Sequence, residues 1–413
     1  MDSSSRRSGR VAFEHRDFSL FFAARFVSAM ALQMQNVAIG WLVYDIAREP
    51  LALGLVGLVA FLPAVLLALF TGHVADRFDR RAILVVSYAV QAAVAAGLLA
   101  CVIYENRQVW PIYLLTFVMG VSRAFANPAS QALVPNLVPA EHFGNAIAWN
   151  STAWQTATIV GPAVGGLLYA LGAKVVFAAS IICFVAVLLL FLALRFRSEK
   201  RQAAKTDWAT LVAGIQFIRA KKVILGALSL DLFAVLLGGA TALLPIYARD
   251  ILKVGPWGLG LLRCMPAVGA SLTAFVLAHF PLERQSGRRM FEAVGIFGLA
   301  TIGFGLSTQL GWALFFLFVL GASDMISVFV RSTLVQMETP DPMRGRVAAV
   351  NSVFIGASNE LGEFESGLVA AYAGTVGAVV IGGVGTLLVA AVWAWLFPAL
   401  WRRDRLVESS PDA

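Results

Sequence analysis

Residues 175–194 read VVFAASIICFVAVLLLFLAL, twenty consecutive positions without a charged side chain. About 20 largely apolar residues in a helix are enough to cross the hydrocarbon core of a bilayer. The stretch therefore predicts a membrane-spanning helix, and the flanking Lys174 and Arg195 mark its two ends.

The whole chain of 413 residues has the same character, since 59% of its residues are hydrophobic and only 14% are charged. A soluble globular protein averages about 45–50% apolar and about 25% charged residues. This composition excludes a cytosolic enzyme, a nucleic-acid binder and a secreted domain. The three cysteines, Cys101, Cys183 and Cys264, lie far apart inside apolar runs, so they indicate neither a metal site nor a disulfide framework.

Twelve apolar stretches, numbered spans 1 to 12 in chain order, are long enough to cross a membrane. They cover residues 18–44, 51–72, 82–104, 110–131, 146–171, 174–195, 223–248, 256–280, 290–308, 310–333, 347–373 and 376–400. The connecting segments are short and leave almost nothing for a separate soluble domain. The polar start MDSSSRRSGR has no cleavage site before an apolar core, which favours a cytoplasmic tail over a signal peptide.

The lysines and arginines predict the orientation, because they are enriched in cytoplasmic loops. With the N-terminus inside, 23 of the 32 lie on the inner side, 5 in outer loops and 4 within spans. Both termini are therefore expected in the cytoplasm. The net charge of +8 is then a signal of topology rather than of nucleic-acid binding.

The two halves of the chain carry a repeat. Adding 201 to positions 117–170 aligns them with 318–371 without a gap, with 15 identities in 54 positions. Apolar residues match by accident, but shared Gly, Pro and Asn positions do not. Examples are Gly120/Gly321, Pro139/Pro340, Gly144/Gly345 and Asn150/Asn351. Spans 4 and 5 therefore repeat as spans 10 and 11, an arrangement typical of two-bundle transporters.

The fold class that follows is an all-α membrane protein with twelve transmembrane helices in two pseudo-symmetric six-helix bundles. Within the polar midpoint, residues 208–218 place apolar side chains at helical spacing, which predicts an amphipathic helix on the inner membrane surface. The expected segments are a cytoplasmic N-terminal tail over 1–17, an N-terminal bundle over 18–195, a cytoplasmic linker over 196–222, a C-terminal bundle over 223–400 and a cytoplasmic C-terminal tail over 401–413.

Two short motifs carry a resemblance to a known family. Residues 72–81, GHVADRFDRR, resemble the G-x-L-A-D-R-x-G-R-R loop of the major facilitator superfamily. Its matching positions are Gly72, Asp76, Arg77, Arg80 and Arg81. Residues 161–166, GPAVGG, resemble the antiporter signature of that superfamily through Gly161, Pro162, Gly165 and Gly166. The chain also resembles sequences of one subgroup, that of the enterobactin exporter and related drug-efflux carriers, in segments 230–248, 339–347 and 362–367.

Each motif has a physical interpretation. Asp76 can cap a helix or pair with Arg80 or Arg81, and such a latch would stabilise one access state; alternatively, the arginines only set topology. In GPAVGG, proline removes a backbone donor and the glycines allow close helix approach. The expected result is a bend and a tight seal between bundles, with plain close packing as the alternative.

The resemblance implies a secondary transporter that works by alternating access and exports a small amphipathic molecule, such as a siderophore or a drug. It also implies proton antiport without a cofactor, a bacterial inner-membrane location and a monomer. An importer or uniporter, a lysolipid flippase and a non-transporting sensor stay open as alternatives. The sequence contains no Ser/His/Asp set, metal cluster or cofactor motif, so we expect no enzymatic activity.

Charged residues inside membrane helices usually mark ion or substrate pathways. The cations are Arg25, Arg123, Arg263 and Arg331, and the acids are Asp231, Asp324, Glu360, Glu363 and Glu365. The repeat relates Arg123 to Asp324, and Arg25 and Asp231 have comparable depths in spans 1 and 7. Pairs of this kind are either static or broken by a proton or substrate.

Span 11 replaces GPAVGG by GEFESG, which places Glu363 and Glu365 inside a membrane helix. Glu360 and Glu363 share a helix face, and Glu365 lies on roughly the opposite side from Glu363. A carboxyl removed from water favours its neutral form. Our hypothesis is that Glu363 is the proton-coupling acid, with Asp231 as the next candidate; a permanent bond to a cation such as Arg263 is the alternative.

Polar and aromatic residues of spans 1, 4 and 5 are candidates for the substrate cavity, although some of them would instead bond neighbouring helices. They are Gln33, Asn36, Asn127, Trp149, Asn150 and Trp154.

Overall fold

The computed structural model is 89% helical, and no strand occurs in the part of the chain that it describes. The structure describes residues 9–195, 208–280, 282 and 285–404, without the side chains of 68, 69, 73, 76, 208–212, 341, 342 and 349. In the first half the helices are α1 Arg16–Ala47, α2 Pro50–Leu66, α3 Ala68–Arg77, α4 Arg80–Ile103, α5 Trp110–Leu133, α6 Phe143–Ala170 and α7 Ala173–Ala193.

The second half continues in the same way. Its helices are α8 Trp208–Ala220, α9 Lys222–Leu237, α10 Gly255–His279, α11 Ser286–Gly305, α12 Leu310–Glu338, α13 Asp341–Leu396 and α14 Pro398–Trp401. Short helical turns at Ala240–Leu243, Leu244–Ile246 and Tyr247–Ile251 connect α9 to α10. α13 is broken at Gly374, whose φ of 75° and ψ of 163° are not helical. A positive φ is readily adopted by glycine because it lacks a Cβ atom.

The predicted spans lie on these helices, with breaks at Leu67, Gly238–Gly239 and Phe397. Spans 11 and 12 lie on either side of Gly374. Among the described residues, 7 helices are long and apolar enough to cross a membrane by length and composition, and one of them covers 54 residues, Met343–Leu396. The helical, multi-pass character is therefore confirmed, while the count of twelve crossings stays a prediction.

The chain divides into two compact units. The first comprises Met1–Arg48, Val59–Lys205 and Gly255–Gly260, and the second comprises Glu49–Leu58, Thr206–Val254 and Leu261–Ala413. The first part of α2 thus belongs to the second unit, and the start of α10 belongs to the first.

In the first unit α1 packs against α6 and α7, and α4 packs against α5 and α7. Large apolar side chains of α1, α4 and α7 fill this core, including the fully buried Phe21, Leu84 and Phe191. The Tyr88 ring stacks on the Phe191 ring at a centroid distance of 5.3 Å, and its hydroxyl lies 3.2 Å from the hydroxyl of Ser28. These contacts fix α1, α4 and α7 relative to one another.

In the second unit α11 packs against α12 and α13, and α9 packs against α13. A helix, α8, is present where the amphipathic helix is predicted, and it also contacts α13; its place on the inner membrane surface stays a prediction. Its Ile218 is buried in a cluster with Ile224 of α9, Val335 of α12 and Val347 of α13. The apolar residues near the end of α8 are therefore used in packing against the unit.

The sequence repeat is visible in the packing. A Cβ atom on Gly120 would collide with the carbonyl oxygen of Ala60, and one on Gly321 would collide with that of Pro266. By contrast, a Cβ atom on Gly144 or Gly345 would have nothing within 4 Å. Of these two repeated glycine pairs, one is thus required by close helix approach and the other is not.

Candidate functional site

An ion pair is buried in the second unit. The guanidinium of Arg331 in α12 donates a hydrogen bond through Nη1 to Oδ2 of Asp231 in α9. The side chains of Arg331 and Asp231 are only 5% and 6% exposed. A buried pair of this kind is strongly destabilised when one partner is removed, because the other charge remains unpaired.

Asp324 lies beside this pair. It lines a small recess together with Asp231, Ser323 and Ser327, and its carboxyl group interacts electrostatically with both Asp231 and Arg331. It is the fifteenth of the 29 residues of α12, which places it at the middle of the helix. Ser327 Oγ and Arg331 Nε are buried without a hydrogen-bond partner in the structure. The recess therefore combines two carboxyl groups with the hydroxyls of Ser323 and Ser327, and the guanidinium of Arg331 is bonded to one of the two carboxyl groups.

A second cluster has the same composition. The carboxylates of Glu363 and Glu360 both interact electrostatically with the guanidinium of Arg263 in α10. The interaction with Glu363 is the stronger of the two. Oε2 of Glu363 lies so close to Gly57 of α2 that a Cβ atom there would be 2.7 Å away, and Oε2 of Glu360 would be at 3.5 Å. The predicted shared face of Glu360 and Glu363 is thus occupied by Arg263 and by the glycine surface of α2.

Each cluster has one more carboxyl group than guanidinium groups. Charge neutrality in each then requires one added proton or another cation, and neutrality is favoured away from water. Glu365 lies outside both clusters and bonds to Ser366.

Arg25 and Arg123 lie in the first unit, on α1 and α5, and both are half-buried. Asp231 bonds to Arg331 of its own unit, and the predicted relation of Arg25 to Asp231 stays a prediction. Among the described residues of the first unit, neither Arg25 nor Arg123 has a carboxylate within ion-pair distance.

The arginines of the loop motif bind helix ends. Arg80 donates through Nη1 to the carbonyl of Ala132 near the end of α5, at 2.7 Å. Arg81 donates to the carbonyls of Phe191 and Leu192 at the end of α7, at 2.9 and 2.5 Å. Basic groups there donate to carbonyls of the last helical turn and stabilise the negative end of the helix dipole.

The remaining motif residues have distinct environments. Asp79, where the family loop usually has glycine, caps α4 by accepting a hydrogen bond from the backbone of Arg81 at 3.0 Å. Arg77 is exposed and Gly72 is half-buried. The side chain of Asp76 lies outside the described part of the chain, so its predicted latch with Arg80 or Arg81 stays a prediction.

The glycines of GPAVGG provide close contacts within the first unit. A Cβ atom on Gly161 would lie 2.6 Å from Cβ of Gln33, and one on Gly165 would lie 2.7 Å from Cα of Met34. Gly166 faces the start of α10 instead, since a Cβ atom on Gly166 would lie 2.8 Å from Cα of Gly260. Pro162 lies inside the continuous helix α6, and its carbonyl oxygen would be 2.6 Å from a Cβ atom on Gly260. Large side chains at these positions would force the helices apart.

The cavity candidates divide into two groups. Gln33 donates to Thr158 at 3.4 Å, and the indole of Trp149 donates to the carbonyl of Gly9 at 2.9 Å, so both connect parts of the first unit. Asn127 and Trp154 are exposed, and Asn36 and Asn150 are half-buried. Oδ1 of Asn150 is buried without a hydrogen-bond partner.

Sequence reasoning missed Gly54 and Gly57 of α2, which provide the surface against α13. The signal was present as the pair of glycines three residues apart in GLVG at positions 54–57. It also missed Ser323 and Ser327, which line the recess four residues apart on α12.

The chain matches a known protein family over almost its whole length. Residues 8–408 match the family model of the transmembrane secretion effectors. The chain belongs to this family of the major facilitator superfamily. It is therefore a multi-pass membrane protein and a secondary transporter of the major facilitator type, not an enzyme.

Curated relatives are distant but cover most of the chain. Macrolide efflux protein A of Streptococcus pyogenes is 23% identical over 371 residues, which are 86% of this chain and 89% of the relative. The enterobactin exporter EntS of Shigella boydii is 25% identical over 348 residues, covering 81% of this chain and 80% of the exporter. YfiS of Bacillus subtilis, described as an uncharacterized transporter of the same type, is 25% identical over 350 residues, with 80% and 81% covered.

Solved structures show the fold. A bacterial homologue of the human lysosomal transporter Spinster superposes with a TM-score of 0.70 at 14% identity, covering 98% of this chain and 99% of that one. A POT family transporter gives a TM-score of 0.73 at 10% identity, covering 93% and 96%. These likenesses support the major facilitator fold and carry no information on the substrate.

Proposed function

We propose that this protein is a proton-coupled exporter of a small amphipathic molecule. The observation that carries the proposal is the buried group Asp231, Arg331 and Asp324, in which two carboxyl groups share one guanidinium. Such a group is neutral only when it holds one proton. Proton uptake and release would therefore change its charge and its internal bonding.

The coupling would follow from the choice of partner for Arg331. With Asp324 protonated, Arg331 neutralises Asp231, as in the observed ion pair. With both acids ionised, one carboxylate is in excess, and a conformation that exposes the recess to water is favoured. A proton can shift the population of two access states only by binding one of them more tightly. The expected cycle is alternating access, with both termini in the cytoplasm of a bacterial cell.

The direction of transport rests on relatives. Proteins named for macrolide efflux, enterobactin export and multidrug resistance cover about four fifths of the chain or more, at 23–25% identity. The GPAVGG segment resembles the antiporter signature and forms close helix contacts in the first unit. No cofactor is required by this proposal, because the proton gradient supplies the energy.

The test uses everted membrane vesicles from cells that produce the protein. The probes are ethidium, erythromycin and 2,3-dihydroxybenzoate, and uptake is measured with and without a protonophore. We expect gradient-dependent uptake of at least one probe, loss of that uptake in Asp324→Asn, and no effect of Glu292→Gln, which alters an exposed ion pair. Uptake that survives the protonophore, or no uptake of any probe, contradicts the proposal.

Glu363 is a second candidate for the proton-coupling acid. Its cluster with Glu360 and Arg263 also has an excess carboxyl group, and sequence reasoning ranked Glu363 first. The same assay on Glu363→Gln separates the two sites. Full proton-coupled transport in Glu363→Gln together with its loss in Asp324→Asn assigns coupling to the group Asp231, Arg331 and Asp324. The reverse result assigns it to the Glu363 cluster.

A further inference from the structure

We propose that the transported molecule is an anion and that Arg25 and Arg123 of the first unit bind its negatively charged group. This inference rests on the proposed export function and adds a substrate class to it. A carboxylate, sulfonate or phosphate would satisfy the chemistry.

The two arginines lie at one depth in the first unit. Hydrogen bonds connect the relevant helix ends: Arg81 at the start of α4 bonds to Leu192 of α7, Arg80 bonds to Ala132 of α5, and Asp17 at the start of α1 accepts from the backbone of Arg195. The start of α1 and the end of α5 are therefore on the same side of the unit.

Helix geometry then gives the depth of each guanidinium-bearing residue. Arg25 lies nine residues after Arg16, the start of α1, and Arg123 lies ten residues before Leu133, the end of α5. At about 1.5 Å per residue these distances are roughly 14 and 15 Å along the helices. Both cations are thus well inside the unit and at matching levels.

The faces that carry these arginines also carry neutral polar groups. Asn127 and Gln131 follow Arg123 at intervals of four residues along α5, and both are exposed. On α1, Asn36 lies eleven residues beyond Arg25 and hence on the same face. Met34 lies on the opposite side of α1, where it contacts Gly165 of α6. Arg25 and Asn36 are therefore on the side of α1 away from its contact with Gly165 of α6.

The charge balance differs between the units. In the second unit, Arg331 and Arg263 each have two carboxyl groups around them. In the first unit, Arg25 and Arg123 are the charged residues in the interiors of α1 and α5, and neither has an acidic partner among the described residues. A charge inside a membrane protein is costly and normally pairs. The guanidinium fork matches the geometry of carboxylate and phosphate oxygens, so an anionic ligand can supply the missing charge.

The experiment compares two dyes that share a xanthene ring and differ in charge. Fluorescein is an anion and rhodamine 123 is a cation. Binding to the full-length protein in phosphatidylcholine nanodiscs is followed by fluorescence anisotropy. We expect fluorescein to bind more tightly than rhodamine 123, and to bind about tenfold more weakly to Arg25→Gln and to Arg123→Gln. Arg123→Lys should recover part of the affinity, and Arg288→Gln, which changes an exposed ion pair, should have no effect.

Tighter binding of rhodamine 123, or fluorescein binding that both glutamine variants retain, overturns the proposal. A second set of nanodiscs contains phosphatidylglycerol; loss of fluorescein binding there would assign the arginines to an anionic lipid headgroup and overturn a substrate role. Proton-driven transport of rhodamine 123 without fluorescein would leave the export function standing while removing the anion assignment. Fluorescein binding at the arginines without proton-driven uptake of any probe would leave the anion assignment standing while removing the export function.

Discussion

The guanidinium of Arg331 bonds to the carboxylate of Asp231 across 100 residues of sequence, and both side chains are almost fully buried. This bond connects α9 to α12 inside the second unit. Asp324, two turns before Arg331 on α12, adds a second carboxyl group to the same recess. The ion pair therefore connects two helices, and Asp324 beside it adds a carboxyl group that no second guanidinium balances.

Arg331→Ala should lower the free energy of unfolding by about 3–5 kcal/mol, because it leaves Asp231 buried without its partner. The double variant Arg331→Ala/Asp231→Ala should recover part of that loss. Thermal unfolding of detergent-purified protein measures both effects. The matched control is Arg288→Ala, which breaks an exposed pair with Glu292 and should cost less than about 1 kcal/mol. Equal losses from Arg331→Ala and Arg288→Ala would contradict the special role of burial.

The repeated glycines provide a paired test of packing. Gly120→Ala and Gly321→Ala should each destabilise the protein, because the new methyl group meets the carbonyl of Ala60 or Pro266. Gly144→Ala and Gly345→Ala should be neutral or stabilise by up to about 1 kcal/mol, since their surroundings are open and alanine favours helix. The midpoint of thermal unfolding of the four variants measures these effects. Equal destabilisation by all four substitutions would contradict the contacts assigned to Gly120 and Gly321.

The helices and the repeat could be predicted because both depend on local patterns. Apolar runs such as 175–194 specify membrane helices directly. The repeat can be recognised from a constant offset of 201 residues between matching positions such as Gly120 and Gly321. Charge partners could not be predicted in this way, because they depend on helix rotation. Asp231 had several arginines at suitable depth, and only the packing of α9 against α12 selects Arg331.

The loop arginines illustrate the same limit. The sequence suggests Asp76 as a partner for these arginines, and that pair stays a prediction. The structure shows Arg80 and Arg81 bonded to carbonyls 52 and more than 100 residues away. Helix ends expose carbonyls that are not visible as a sequence motif, so this role could only be recognised from the fold.

Arg81→Lys should therefore be destabilising although it keeps the charge. A lysine cannot reproduce the two hydrogen bonds that the guanidinium fork donates to Phe191 and Leu192. A loss of about 1–3 kcal/mol is expected from hydrogen bonds to a charged group. Arg77→Lys is the control, since Arg77 is exposed. If thermal unfolding shows no difference between the two variants, the bonds to the end of α7 contribute nothing to stability.

The contact of α2 with α13 allows a sharper test, because its two glycines meet different parts of the partner helix. A Cβ atom on Gly57 would be 2.7 Å from Oε2 of Glu363, whereas one on Gly54 would be 3.0 Å from the backbone oxygen of Phe364. A side-chain carboxylate can be removed by mutation, but a backbone oxygen cannot. The two positions should therefore respond differently to the same second substitution.

Gly57→Ala and Gly54→Ala should both lower stability, measured as the midpoint of thermal unfolding. Adding Glu363→Ala should relieve the clash at Gly57 and produce a coupling of about 0.5–3 kcal/mol in a double-mutant cycle. The same addition to Gly54→Ala should give no relief, since its clash is with the main chain. Coupling of equal size at both positions would show that Glu363 does not lie against Gly57, and it would remove the geometric basis for treating Glu363, Glu360 and Arg263 as one cluster beside α2.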